Sequence, residues 1–444
     1  MPASPWAAYP RARQPVHGVL AMKVVVLGAG IVGVSTAWYL LEAGHEVVLV
    51  DRQPDAALET SYANGAQISV SFCEPWANAW VPIKVAKWLL KDDSPLLFRP
   101  RLELAQMRYG LAFLMQCTTA SFERNVEELV QLGRYSHARL KELVPATGIE
   151  YNRLEKGILH FFSSQQDFDN GVAGAEVMRR HGVDRRVLSR EEVLKVEPAL
   201  ATFGPRIFGG TYTPSDESGD ALVFTQKLAQ KCFERGAEKR FNTHILALEK
   251  QGQAISGVRV KNAQGQTETI TGDAYVVALA SYAPALVNPV ADCLNIYPAK
   301  GYSATLRLKK PEQASTVSLL DDTRKIAISR LGDRIRIAGT AELVGLDTSL
   351  NSATSRTRCE ALIRRYEELF PGVADLSEPN YWTGLRPSTP TNIPYIGRSK
   401  KVGKLWFNCG HGTLGWTHGA GSGHALAELI SGRRPPTAFH FYGV

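Results

Sequence analysis

The sequence predicts an α/β protein built around a dinucleotide-binding unit. Three features carry that reading. A glycine fingerprint stands between an apolar strand and a helix, a second strand ends in an acid, and 444 residues leave room for more than one core. The composition, 44% hydrophobic and 21% charged, is that of an ordinary globular chain, and no window approaches the roughly 18 uninterrupted apolar residues of a membrane span.

Val24–Leu27 is a short apolar, β-branched run suited to a buried parallel strand. Gly28, Gly30 and Gly33 follow as G-x-G-x-x-G, with Ala29, Ile31 and Val32 between them. The first glycine permits a tight turn, the second lets a pyrophosphate approach the backbone, and the third lets helix and strand pack closely. The helix N-terminus then offers free N–H groups to phosphate. Gly44 stops the helix. Val47–Val50 is the second strand, ending at Asp51 and Arg52. Asp51 lies 23 positions after Gly28, where a ribose hydroxyl partner is expected. The fingerprint alone does not separate NAD from FAD.

The stretch "ETSYANGAQIS" (59–69) follows almost at once. Thr60 and Ser61 are potential phosphate donors. Asn64-Gly65 tolerates positive φ, Gly65 and Ala66 leave space for a flat ring, and Gln67 and Ile68 would come next to its edge. Taken in isolation the stretch reads first as a plain Asn-Gly turn between strands.

The net charge is +8, which by itself suits nucleic acid, an anionic membrane or no particular partner. Residues 1–21 lack an apolar core of signal-peptide length and are expected to be a disordered leader, with Met22 as an alternative start. Six cysteines (73, 117, 232, 293, 359, 409) show no metal-like spacing and are expected to be reduced thiols of a cytoplasmic protein without a bound metal.

Several long segments, however, are distinctive. "EPWANAWVPIKVAKWLL" (74–90), "SDESGDALVFTQKLA" (215–229), "YPAKGYS" (297–303), "WTGLRPSTPTNIPYIG" (382–397) and "NCGHGTLGWTHGAGSG" (408–423), together with 59–69, resemble FAD-dependent D-amino acid dehydrogenases of the small-subunit type, within the D-amino acid oxidase and glycine oxidase superfamily. The likeness runs along nearly the whole chain from Met22. It implies FAD as cofactor and oxidative deamination of D-amino acids, with electrons passed to a quinone or other respiratory acceptor. It also implies a Rossmann-like FAD-binding domain (22–90, 195–290, 385–444) and a discontinuous, antiparallel-sheet substrate domain (91–194, 291–384). The chain departs from the family's usual pattern at three places: Gly65-Ala66 replaces Ala-Gly, Thr391-Asn392 replaces Asp-Gly, and Ala280 replaces a glycine.

Holding an amino acid's carboxylate calls for a planar bidentate cation, arginine rather than lysine. Arg386 in "GLRP" resembles the superfamily's carboxylate-binding arginine. Tyr302 in "KGYS" is expected to place its hydroxyl by that carboxylate, to close the pocket or to be a half-buried strand tyrosine, and Lys300 to be solvated rather than near the flavin. In "GHGTLG" (410–415), Gly410, Gly412, Thr413 and Leu414 lead into a helix through Ala425–Ile430 whose N-terminus would face the flavin, with His411 against substrate or ring or simply structural. A capped helix is predicted from about Asp220 to Arg235 and a strand through "FNTHILALE", where Ile245 would meet the adenine through its backbone.

In residues 74–93, helical spacing gathers Lys84, Lys87 and Lys91 on one face and Ile83, Ala86 and Leu90 on another, with Trp76, Trp80 and Trp88 around them. The segment reads either as a lid helix or as one lying on an anionic bilayer, peripheral at the inner membrane as the resemblance implies. An H2O2-producing glycine- or sarcosine-type oxidase is the second enzymatic reading. A tRNA-acting flavoprotein is the third, and the dispersed lysines give no nucleic-acid motif to support it.

Overall fold

The computed structural model describes residues 20–81, 96–98 and 100–444. Its strands gather chiefly into two sheets. Lys23–Leu27, Glu46–Val50 and Ala274–Val277 are almost wholly buried, as all-apolar β-branched runs favour when helices cover both faces. They pair in parallel in one sheet, extended by Glu238–Arg240 on one side and Leu405–Cys409 on the other. Tyr395–Arg398 closes this sheet antiparallel. The fingerprint helix Ile31–Glu42 packs against the helix Gly415–Ile430. A further helix, Ala221–Glu234, begins where the Asp220 carboxylate accepts from the amides of Leu222 and Val223.

The second sheet is mainly antiparallel. Across it run Asn380–Ser388, Tyr297–Arg307, Arg334–Leu343, Ile326–Leu331, Ser318–Asp321, Ile158–Phe162, Gly209–Thr213 and Arg186–Leu188, with Leu96–Phe98 beside Arg334–Leu343. Two expected boundaries shift. Gly209–Thr213 pairs with Ile158–Phe162, so the return to the nucleotide-binding sheet falls after residue 213 rather than near 195. The strand Asn380–Ser388 runs unbroken across the expected boundary at 385. His244–Gln251 belongs to a small separate antiparallel sheet with Ala254–Lys261 and Thr267–Ile270.

The leader up to residue 19, and Lys84, Lys87, Lys91, Ile83, Ala86, Leu90 and Trp88 of the basic segment, lie outside the described residues. None of the six cysteines is in a disulfide, and four of them (Cys73, Cys232, Cys359, Cys409) are buried. Among the described residues no helix is long and apolar enough to cross a membrane.

Candidate active site

A cavity of about 1410 Å³ is lined from both sheets. Sites for one small ligand are commonly about 300–1,000 Å³, so this one has room for an extended cofactor and a substrate together. Arg386, Tyr302, His411 and the residues expected to hold the cofactor all border it except Ala29, Gly33 and Ile68.

At one end the fingerprint makes a turn that only its own residue types allow. Gly28 has φ +108°, and a Cβ there would stand 2.6 Å from the Ala278 carbonyl oxygen. A Cβ on Gly33 would stand 1.9 Å from the Gly28 oxygen, which is why Gly33 serves packing rather than lining. The Asp51 carboxylate accepts from the amides of Ala29 (2.7 Å) and Gln53 (2.8 Å). Burial raises its pKa and these two bonds partly offset the rise. Each oxygen keeps a lone pair for a further hydroxyl. Arg52 pairs with Glu59 and lies over the Tyr282 ring. Ile245 and Val32 also border this cavity.

The loop 59–69 rests on the second sheet. Ser61 Oγ accepts from the Ile31 amide at the start of the fingerprint helix (3.2 Å), but the Thr60 hydroxyl donates to the Leu385 carbonyl (3.0 Å). Asn64 Oδ1 accepts from the Ala66 amide, and Gly65 sits over Ala327 and Ala338. The Gln67 side-chain amide donates to Ser318 Oγ and the Leu319 carbonyl. Ile68 is buried and pairs with Glu217. The departures from the family pattern share one feature: Ala66 (φ 59°), Ala280 (φ 48°) and Asn392 (φ 62°) are all left-handed, so the backbone keeps a conformation that glycine adopts without strain.

At the other end stands Arg386. Its strand pairs with Tyr297–Arg307, placing Arg386 opposite Ala299 and Gly384 opposite Gly301, on one face. A Cβ on Gly301 would lie 2.4 Å from Arg386 Nη1, so the missing side chain makes the space the guanidinium occupies. Arg386 Nη1 donates to the Thr340 carbonyl (2.8 Å), and among the described residues no carboxylate pairs with it. Desolvation pulls its pKa down to about 10, which leaves it a cation at neutral pH. Thr340 itself has φ 55°, a costly conformation for a β-branched residue, and its hydroxyl is buried without a partner.

The same register corrects the expectation for Lys300 and narrows that for Tyr302. Tyr302 and Lys300 alternate to the opposite face from Gly301. The Tyr302 hydroxyl donates to Glu342 Oε2 (2.5 Å), so its proton is not available to a carboxylate beside Arg386, although the residue does border the cavity. Lys300 is buried rather than solvated, and its Nζ donates to the Ser349 carbonyl (2.7 Å).

His411 is buried, its Nε2 has no hydrogen-bond partner, and burial lowers its pKa to about 3. It is therefore a neutral imidazole with an open nitrogen. Gly410, Gly412, Thr413 and Leu414 carry the chain from it into the helix Gly415–Ile430, whose N-terminus has no side-chain cap. A polar wall that no sequence signal marked completes the cavity. Arg185 Nη2 donates to His160 Nδ1 (3.2 Å) and Nη1 to Glu74 Oε1 (3.0 Å), and burial holds His160 near a pKa of about 4. His160 sits alone in the apolar strand "ILHFF", which reads as core.

The uncapped helix start, the orphaned His411 nitrogen, the two-oxygen acceptor at Asp51 and the size of the cavity fit a flavin dinucleotide. The sequence model of the FAD dependent oxidoreductase family matches residues 23–429, and the chain belongs to that family. It is thus an FAD-dependent oxidoreductase. It is 49% identical over 420 residues to a D-amino acid dehydrogenase of Dechloromonas aromatica, covering 95% of this chain and 99% of that protein. A D-amino acid dehydrogenase of Cereibacter sphaeroides is 44% identical over 414 residues, 93% of each chain. Among solved structures, glycine oxidase from Bacillus cereus superposes with a TM-score of 0.70 at 22% identity, covering 93% of this chain and 95% of that one. L-proline dehydrogenase from P. horikoshii does so with 0.71 at 16%, covering 95% and 96%. These two likenesses concern the fold.

Proposed function

We propose that this enzyme oxidises D-amino acids to 2-oxo acids and ammonia and delivers the electrons to a quinone-linked acceptor at the cytoplasmic face of a membrane. The observation that carries the reading is Arg386: a cation inside the cavity, in space cleared by Gly301, with no carboxylate of the protein to neutralise it among the described residues. Such a group is built to receive an anion. The names of the two relatives support an amino acid as its bearer.

In this reading the backbone around Gly28, Gly30 and Ser61 would hold the pyrophosphate, Asp51 the ribose and Ile245 the adenine. Asn64 to Gln67 and Gly410 to Leu414 would flank the ring. When bound, FAD would supply the two-electron acceptor for the substrate's Cα–H hydride, with the imine product hydrolysed to the 2-oxo acid and ammonia. Arg386 fixes the carboxylate by two parallel N–H donors, which orients Cα. His411 stays neutral across the physiological range, so it adds no positive charge beside the substrate amine. The aromatic side chains of Trp76 and Phe113 line the cavity and help to keep water out. Tyr302, at the cavity's border, is anchored to the neighbouring strand through Glu342.

A panel of D- and L-amino acids with an artificial electron dye, run in air with peroxide measured, tests the proposal. Oxidation of D-isomers with little peroxide is expected. Stoichiometric peroxide, or a preference for L-isomers, would contradict it.

A further inference from the structure

His160 is the one polar side chain of the strand Ile158–Phe162, and it is buried. Its neighbour Arg185 is held on every side. Arg185 Nε donates to Thr211 Oγ1 (3.0 Å), Nη1 to the Ser71 carbonyl (3.2 Å) and to Glu74 Oε1 (3.0 Å), and Nη2 to His160 Nδ1 (3.2 Å). Asp322 Oδ2 stands 3.1 Å from that same Nδ1. One nitrogen cannot both accept from Arg185 and donate to Asp322. The arginine proton is permanent, whereas Asp322 has Lys325 as its cation, so Nδ1 is the acceptor. Burial and the Arg185 charge keep the ring neutral. Its one hydrogen therefore stands on Nε2. Nε2 has no partner among the described residues and is not sealed off from the cavity that the ring borders.

The sheet sets where this donor stands. His160 pairs with Leu320, Leu320 with Ala327, and Ala327 with Ala338, so these side chains share one face across four strands. All of them border the cavity. Thr340, further along the Ala338 strand, accepts from Arg386 on its carbonyl. Guanidinium and imidazole are therefore three strand spacings apart, about 14 Å across the sheet at about 4.8 Å each. The segment from Phe72 to Trp76 walls the same interval. The Phe72 ring centroid lies 6.1 Å from that of His160, and the Trp76 amide donates to Asn392 Oδ1 (2.8 Å), on the loop that follows the Arg386 strand.

An amino acid held by its carboxylate at Arg386 can lay its side chain along the apolar strip of Ala338, Ala327 and Leu320. A methyl group ends far short of His160, and a side chain of glutamine's length reaches it. The charges at this end cancel: Arg185 pairs with Glu74, and Lys325 with Asp322. A side-chain carboxylate would find no spare cation there. An ammonium has no lone pair to accept the Nε2 hydrogen, and an alkyl tail would leave that hydrogen unbonded. We propose that His160 forms the side-chain subsite of this enzyme, its Nε2–H binding an uncharged side-chain carbonyl, and that it thereby selects D-amino acids ending in a primary amide. This rests on the amino acid reading above, with the carboxylate at Arg386.

The test compares D-glutamine, D-glutamate, D-norleucine and D-alanine on the FAD-loaded full chain with a dye acceptor. In the parent, kcat/KM should be about tenfold higher for D-glutamine than for D-glutamate or D-norleucine. His160→Leu should lower the ratio of kcat/KM for D-glutamine to that for D-alanine about tenfold, with most of the change in KM. His160→Gln, which restores an N–H donor, should recover most of that ratio. A ratio in His160→Leu within about twofold of the parent's overturns the proposal, because a residue that only packs the wall affects both substrates alike. So does a parent that takes D-glutamate or D-norleucine as readily as D-glutamine, a result that needs no variant to fold. The two readings fail separately. If no D-amino acid is oxidised with the dye, the function itself is refuted. If D-alanine is oxidised and the ratio does not move, the subsite alone is refuted.

Discussion

The two ends of the cavity are made by different means. At the fingerprint end, one strand–helix–strand unit supplies Gly28, Gly30, Gly33 and Asp51, and the backbone itself forms the site. At the other end, Gly301, Thr340 and Arg386 come from three strands far apart in sequence, and one side chain forms the site in space that another residue leaves empty. A local site depends on the turn. A distributed one depends on the register of a whole sheet.

Acidification should separate the ends most strongly. His411 and His418, beside and within the glycine-rich helix, have pKa values lowered by burial to about 3. The unfolded chain takes up their protons below about pH 6.5 and the folded one does not, so stability falls as pH drops through that window, at up to about 1.4 kcal/mol per pH unit for each histidine. Denaturant midpoints between pH 7 and 5 should show the decline, and His418→Gln should reduce its slope by about one proton. A flat profile would contradict the buried, neutral assignment.

Gly33→Ala attacks the local end. Its Cβ would collide with the Gly28 oxygen, which is backbone and cannot swing away. A loss of about 3 kcal/mol is expected, together with weakened FAD retention, read by denaturation and by flavin absorbance after gel filtration. Gly301→Ala attacks the distributed end more gently. The atom it meets is the tip of Arg386, which can move. The fold and FAD content should persist while the Michaelis constant for the amino acid rises about tenfold, a loss of about 1.4 kcal/mol.

What the sequence reveals follows the same division. The first strand, the helix and Asp51 are legible because their spacing is local and each residue type has one mechanical reason to be there. Arg386 is legible only through its motif, and the reason for its position lies in Gly301, on the neighbouring strand. The Glu342 partner of the Tyr302 hydroxyl and the burial of Lys300 are not legible, because the face a strand residue occupies is set by pairing, which no single segment contains. The hydroxyl of Thr60 is taken up by a carbonyl 325 residues away. The inverted Gly65-Ala66 pair is a milder case: the loop keeps its left-handed turn with alanine in it. Ala66→Gly should therefore stabilise the protein by only about 0.5 kcal/mol, the left-handed strain less the entropy cost of glycine, a small upward shift of the thermal midpoint with unchanged kinetics.

The claim that Arg386 binds the substrate carboxylate is tested most directly by steady-state kinetics of Arg386→Ala with a D-amino acid and a dye acceptor, alongside its FAD content. The Michaelis constant should rise about a hundredfold, a loss of about 3 kcal/mol, with FAD bound as in the parent. A Michaelis constant within about twofold of the parent's would contradict the account.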